Sequence, residues 1–520
     1  MIAFDGQKYI LFPDDYEPFK SRFRLEKISL FDNKRQDIID IDLSQDEDSC
    51  DRSTCQFSLL IGVNGVGKTT ILRGLIDFFI DFHEYCNSGY KNYRKIARKN
   101  IQVVGAKYFA DGKVYDVWKN DNEKKFFVND SDILDRDIPI PNIVASCFGV
   151  FDKFPIKNTM SSLNTRYNVP FYTYVGSRAA NNTFSVISSL FQMLYYVLSL
   201  EKTETILKVR DLLNYMGYKD RMTLICKFRK LNNVSSLDDF MQVLNKAMVG
   251  GGPKNNRSRG WYLESFLKKS PKDKQQVFLK YLELEKQLNG NDEGMCRCDF
   301  EFNQGYVQSH KEEIRSLYHL RQLGLITQMG LYLYKNSERI NCFDISSGEL
   351  NMFCTVVGAL SASEKENALI LIDEPEISQH PNWQMSIIDF LKEGLKDSPC
   401  HLLIATHSHF LVSDLPRCQS TVTYLNKTDE GLVSERIKED TYGWSAEEVL
   451  LKVFKVPTTR NIYLAKIVGD MLDRIAKGDI DYQEVSEKVQ FLREVMGNMS
   501  EVDPMKKIIT TIVNTFKNEK

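Results

Sequence analysis

Gly62-Val63-Asn64-Gly65-Val66-Gly67-Lys68-Thr69 decides how the rest of this sequence is read. It fits G-x-x-x-x-G-K-[ST], a loop whose glycines let backbone N–H groups approach phosphate oxygens. The flanks fit as well. Phe57–Ile61 is a short apolar run that reads as a buried strand, and Ile71–Ile76 continues as a helix. The positive end of that helix would face the phosphates, Lys68 would reach the β/γ-phosphates, and the Thr69 hydroxyl would hold Mg²⁺. Asn64, Gly65, Val66, Gly67, Lys68, Thr69 and Thr70 are therefore the candidate nucleotide-binding residues, with ATP and Mg²⁺ as the expected ligands.

Two apolar runs downstream complete the set. Ala368-Leu369-Ile370-Leu371-Ile372-Asp373-Glu374 reads as a strand buried on both faces, as a parallel sheet requires, and it ends in two carboxylates. Asp373 is expected to complete the Mg²⁺ site with Thr69, and Glu374 to polarise the attacking water. His401–Thr406 is a second such strand, and His407 follows at the end where open α/β sheets bind ligands, placed to contact a γ-phosphate. His409 has no such placement. Just ahead of the Asp373 strand, Ser346-Ser347-Gly348-Glu349 opens a helix and offers hydroxyls and free N–H groups, an anion site or simply a cap. Asn426-Lys427-Thr428-Asp429 fits the N-K-x-D pattern of guanine recognition, but it lies between strand-like runs with Glu430-Gly431 behind it, and a hairpin turn is the better reading.

With 520 residues, the chain is long enough for two or more domains. It is 42% hydrophobic and 27% charged, with a formal net charge of −2, so a polyanionic partner would have to meet a local patch. No basic-then-apolar leader opens the sequence and no apolar run approaches membrane-spanning length. The 11 scattered cysteines suggest reduced thiols and a cytoplasmic setting. Cys296-x-Cys298 and Cys50-x4-Cys55 lack matching ligand pairs, which argues against zinc.

Residues 1–60 look β-rich, with strands at Phe23–Phe31 and Ile38–Leu43 and a solvated acidic run over Asp46–Asp51. Residues 101–130 resemble antiparallel strands joined at Asp111-Gly112 and Asn120-Asp121. Asn142–Phe148 and Phe171–Arg178 are two further strands. From 184 to 330 helical patterns dominate, at Ile187–Leu200, Thr205–Met216, Gln275–Leu288 and Glu312–Leu323. Two basic stretches stand out. Tyr90–Lys99 is read as a charged surface in preference to a nucleic-acid contact, and the Gly250–Gly260 loop is either a hinge or such a contact.

The ordered set of P-loop, Ser346–Glu349 signature, Asp373-Glu374-Pro375 and His407 resembles the ABC-type ATPases of the SMC and overcoming-lysogenization-defect group. Phe151-Asp152-Lys153-Phe154, Tyr174-x-Gly176-x-Arg178 and Tyr442–Glu448, with Leu450–Phe454 and Thr458–Asn461 behind them, are similar to the PtuA family, the ATPases of Septu and related retron defence systems. The resemblance spans about 23–80, 142–178 and 340–462. It implies an α/β head of ABC type with a β-rich N-terminal part and a large helical insertion. Residues 1–183 and 336–460 would form its two halves, 184–335 the insertion, and 461–520 a helical partner-binding segment. It also implies a head-to-tail homodimer, open to higher-order assembly, in which Ser346–Glu349 of one head caps ATP held by the other. The family's partners are an HNH-type nuclease and, in retron versions, a reverse transcriptase with its RNA–DNA hybrid, so nucleic acid is expected in the complex. Three departures stand out: no glutamine can be placed after the Asn142–Phe148 strand, no long coiled coil is present, and no nuclease domain follows residue 462. A DNA-repair ATPase and a slow ATP-bound scaffold remain the rival readings.

Overall fold

The computed structural model describes residues 2–4, 9–11, 23–45, 55–88, 101–120, 125–132, 138–149, 152–156, 166–167, 169–176, 178, 203–249, 263, 266–288, 295–302, 307–336, 338–396, 398–417, 419–456, 461–477, 482–499 and 503–516. At its centre is a seven-stranded sheet. The order is Tyr172–Gly176, Asn142–Cys147, Ala368–Asp373, His401–Thr406, Gln56–Gly62, Ser420–Thr428 and Gly431–Ile437. The first six run parallel and the last is antiparallel.

Period-2 geometry explains why the inner strands are apolar throughout. Leu59, Ile370 and Leu402 point into one core, while Leu60, Leu369 and Leu403 point into the other. The register aligns the strand ends on the functional side, pairing Cys147 with Asp373 and Asp373 with Ala405. The helix Lys68–Ser88 covers one face and is itself covered by an antiparallel six-stranded sheet built from Arg24–Asp32, Asp37–Asp42 and the strands between Ile101 and Asp132. The Asp111-Gly112 hairpin is as expected, with both residues at positive φ (49° and 80°). The helix Ser347–Ser363 covers the opposite face.

Segment 184–335 is rich in helices as expected, and it also carries strands that the sequence did not announce. Helices are present at Thr203–Tyr215, Leu237–Val249, Pro271–Leu288 and Val307–Gln322. Pro271–Leu288 and Val307–Gln322 pack on an antiparallel sheet ordered Met295–Glu301, Arg221–Phe228, Ile326–Lys335 and Glu338–Asn341. Met222, Leu224, Cys226 and Phe228 alternate inward, and Cys296, Cys298 and Phe300 do the same on the neighbouring strand. The unmatched Cys-x-Cys is thus two inward positions of one strand. At the C-terminal end, Ile462–Lys477, Tyr482–Gly497 and Pro504–Thr515 form three helices around Leu464, Val468, Leu492 and Ile512. No helix among the described residues is long and apolar enough to cross a membrane. The acidic run, both basic stretches, Ile187–Leu200, Asp121, Phe151 and Thr458–Arg460 lie outside the described residues.

Candidate nucleotide site

Five of the predicted residues converge where three parallel strands end. Lys68 starts the helix after the loop, whose Gly65 and Gly67 take positive φ values of 80° and 114° that a side chain would resist. The Lys68 Nζ donates to Gly62 O at 2.8 Å and lies 2.6 Å from His407 Nε2 and 4.0 Å from Glu374 Oε1. His407 Nε2 is also 2.8 Å from Glu374 Oε1. The Thr69 hydroxyl donates to Asp373 Oδ1 at 3.0 Å. Asn64 and Gly65 are exposed at the tip of the loop, and Thr70 is half-buried.

The electrostatics follow from burial. Withdrawal from water lowers the Lys68 ammonium to about 8, although the Glu374, Asp373 and Glu376 charges work to raise it. Burial, joined by the charges of Glu374 and Asp152, pushes Asp373 up to about 7 against the Thr69 hydrogen bond and Lys68. Glu374 goes the other way. Burial works to raise it, but the hydrogen bond and charge of His407, with Lys68, hold it below the usual range. Glu374 also sits at φ 50°, a backbone region uncommon for a side-chain-bearing residue, and its N–H is tied to Ala405 O at 2.8 Å.

The signature residues occupy a different place. Ser346 caps the helix through a reciprocal capping box with Glu349, and Tyr218 OH donates to Glu349 Oε1 at 3.1 Å. Gly348 is there for close approach, since a Cβ would meet Ser378 O at 2.3 Å. The hydrogen bonds of this turn run to itself and to Tyr218 rather than to the P-loop. The expected hairpin is present: Asn426–Thr428 end one strand, Asp429-Glu430 make the turn, and Thr428 pairs with Gly431. Lys427 nevertheless lines a cavity of about 220 Å³ beside Val66, together with Asn33, Lys34, Ile101 and Leu432.

Two features escaped the sequence reading. Glu376 is half-buried, and its Oε1 accepts from Thr406 Oγ1 (2.7 Å), His407 N (2.6 Å) and Ser408 N (3.1 Å), so it ties the acidic strand end to the loop carrying His407. Its only advance signal was a third carboxylate in Asp373-Glu374-Pro375-Glu376. In place of the missing glutamine, the strand beside Asp373 ends in Cys147, whose Sγ lies 3.9 Å from Asp373 Oδ2.

The model of the AAA ATPase domain family matches residues 347–412, from the capped helix through Asp373, Glu374 and His407. No curated protein matches the sequence. Among solved structures, the chain is similar to the Smc head domain with an extended coiled coil bound to the C-terminal domain of ScpA, from Pyrococcus furiosus. That match has 10% identity and a TM-score of 0.33, and covers 80% of this chain and 96% of that one. It is similar to the SmcHead bound to the C-winged helix domain of ScpA, at 12% identity and a TM-score of 0.32, over 80% and 98%. It is also similar to the SMC head domain from Thermotoga maritima, at 10% identity and a TM-score of 0.32, over 80% and 100%. The stretch that matches the AAA ATPase domain model thus carries Asp373, Glu374 and His407, the residues that the P-loop Lys68 and Thr69 meet.

Proposed function

We propose that this chain is an ATP-hydrolysing head that dimerises head to tail and controls an associated HNH nuclease, as in Septu and retron defence systems, within the cytoplasm. The observation that carries the ATPase part is the convergence of Lys68, Thr69, Asp373, Glu374 and His407 at one sheet edge. The defence part has the support of the sequence resemblance alone.

In this reading the loop amides and Lys68 hold the phosphates, and the cavity beside Val66 takes the base and ribose. Thr69 and Asp373 suit Mg²⁺, being an oxygen-only pair already 3.0 Å apart. Bound there, the metal would neutralise charge on the β- and γ-phosphate oxygens. Glu374 is held ionised by His407 and is therefore ready to take the proton of the attacking water. His407 sits between Lys68 and Glu374, so a γ-phosphate reaching Lys68 must rearrange the histidine, which makes it the sensor. Ser346–Glu349, with its hydrogen bonds satisfied within its own turn and by Tyr218, presents a rigid helix N-terminus for a nucleotide on the second copy. Closure on ATP and reopening after hydrolysis would gate the nuclease.

The raised Asp373 carboxyl gives the metal step a pH dependence. A proton and Mg²⁺ compete for the carboxylate, so the affinity gained by adding Mg²⁺ to nucleotide should rise between pH 6 and pH 8 and then level off. The sign for stability is opposite. A carboxyl raised from 3.8 to about 7 costs the unliganded fold nothing at low pH, and the cost grows as pH rises through that window. The stabilisation conferred by Mg²⁺ and nucleotide, read by thermal unfolding, should therefore widen with pH in the wild type and lose that trend in Asp373→Asn.

The function itself is tested by tagged purification from the native host, comparing wild type with Glu374→Gln, with mass spectrometry and nucleic-acid extraction. A small HNH protein, with or without a reverse transcriptase and RNA–DNA hybrid, is the expected companion. Recovery of chromosomal DNA and no nuclease would move the assignment to a DNA-repair ATPase.

A further inference from the structure

Beside the site lies a buried cluster that the mechanism above does not use. Asp152 donates its N–H to Gly149 O at 3.2 Å, just past Cys147, and its carboxylate is fully buried. That carboxylate accepts from Tyr174 OH at 2.5 Å, Arg178 Nε at 3.1 Å and Phe154 N at 2.7 Å. Arg178 also donates through Nη2 to Phe154 O, and its backbone N–H donates to Tyr174 OH at 3.2 Å. Tyr174 and Arg178 flank Gly176, which pairs with Cys147 in the neighbouring strand. A Cβ at 176 would meet Tyr174 OH at 2.1 Å and Cys147 O at 2.5 Å, so the glycine is what lets the tyrosine fold back over the strand end. Cys147 in turn pairs with Asp373 and touches its carboxylate. The chain of contact is therefore Arg178, Asp152, Gly149, whose carbonyl accepts from Asp152 N–H at 3.2 Å, then Cys147 and Asp373.

We propose that Arg178 is a positioning residue for hydrolysis: by clamping Asp152, whose N–H holds the Gly149 carbonyl, it sets Cys147, and through it the Asp373 carboxylate, in register with Thr69. The inference rests on the ATPase reading. A buried ion pair adds little net stability compared with an apolar replacement, and its best-attested use is to specify one arrangement among several. Here the arrangement specified is the end of the strand that borders Asp373. A shift of about 1 Å in a positioned group can cost about 100-fold in rate while leaving substrate affinity in place. Arg178 supplies a planar fork shared between the Asp152 carboxylate and the Phe154 carbonyl, which a lysine cannot reproduce.

The test compares wild type, Arg178→Lys, Arg178→Met and the Asp152→Asn/Arg178→Met pair in the full chain. It reads Tm, Mg·ATP affinity, KM and kcat. The expected result is a kcat at least about 10-fold lower in Arg178→Lys, with KM and affinity within about 3-fold of wild type. Arg178→Met alone leaves a buried charge uncompensated and should lose stability. The pair removes that charge and should recover Tm without recovering kcat. If kcat recovers in step with Tm in the pair, or if Arg178→Lys turns over at the wild-type rate, the cluster is structural only and the proposal is overturned. A wild-type chain that binds no nucleotide would overturn the ATPase reading, and this inference with it.

Discussion

Glu374→Gln should bind ATP as tightly as the wild type and hydrolyse it about 10²- to 10⁴-fold more slowly, the range over which a positioned general base acts. The argument is local. Glu374 Oε1 already accepts from His407 Nε2 at 2.8 Å and lies 4.0 Å from Lys68 Nζ, so the carboxylate stands where a water attacking a Lys68-bound phosphate would lie. Glutamine keeps the shape and an acceptor oxygen but cannot take a proton. The backbone at 374 is held at φ 50° by the Ala405 carbonyl, so the substitution does not release the strand end. Single-turnover hydrolysis read beside equilibrium nucleotide binding separates the two effects. Slow turnover with unchanged affinity supports the base assignment, and wild-type turnover would transfer it elsewhere. If closure depends on bound ATP, the same variant should accumulate as a dimer by light scattering.

The residues assigned to this chemistry are legible because each announces itself over a few neighbouring positions. The P-loop is a local backbone pattern. Ala368–Asp373 and His401–Thr406 are continuous apolar runs, and runs buried on both faces belong to parallel sheets whose C-terminal ends bind ligands. What stayed hidden is what depends on distant pairing. Arg221–Phe228 takes its partners from Met295–Glu301 and Ile326–Lys335, and such a strand shows only a brief alternation within a segment rich in helical periods. Asp152 and Arg178 looked like motif letters until the fold put them 3.1 Å apart. Glu376 carries no motif role of its own in the sequence, yet it is the group that fastens the His407 loop. In each case the missing information was tertiary: which carboxylate is buried, and which donors the topology brings to it.

Lys68→Met should weaken ATP binding by about 30-fold or more, the consequence of removing one member of a buried charged contact worth about 2–5 kcal/mol. It should do so without lowering the stability of the unliganded chain, and that pairing is what makes the prediction specific. Without nucleotide, Lys68 is an ammonium buried almost completely, facing Gly62 O, His407 and Glu374, and burial has brought it down to about 8. A base whose folded-state pKa is depressed costs stability fully below that value, and the cost disappears as pH climbs toward the 10.5 of the unfolded chain. At pH 7 the wild-type fold therefore carries the cost, and methionine removes it while filling much of the same space. Thermal unfolding at pH 7 should give an unliganded Tm equal to or above the wild type, and a Tm that no longer rises when Mg·ATP is added. A fall in the unliganded Tm would mean that Lys68 is there to hold the loop together. An unchanged response to Mg·ATP would mean that the nucleotide phosphates lie elsewhere, and the ATPase assignment would go with them. A site that keeps a cation at an energetic disadvantage until an anion arrives is built for the anion, and the two halves of this measurement read that directly.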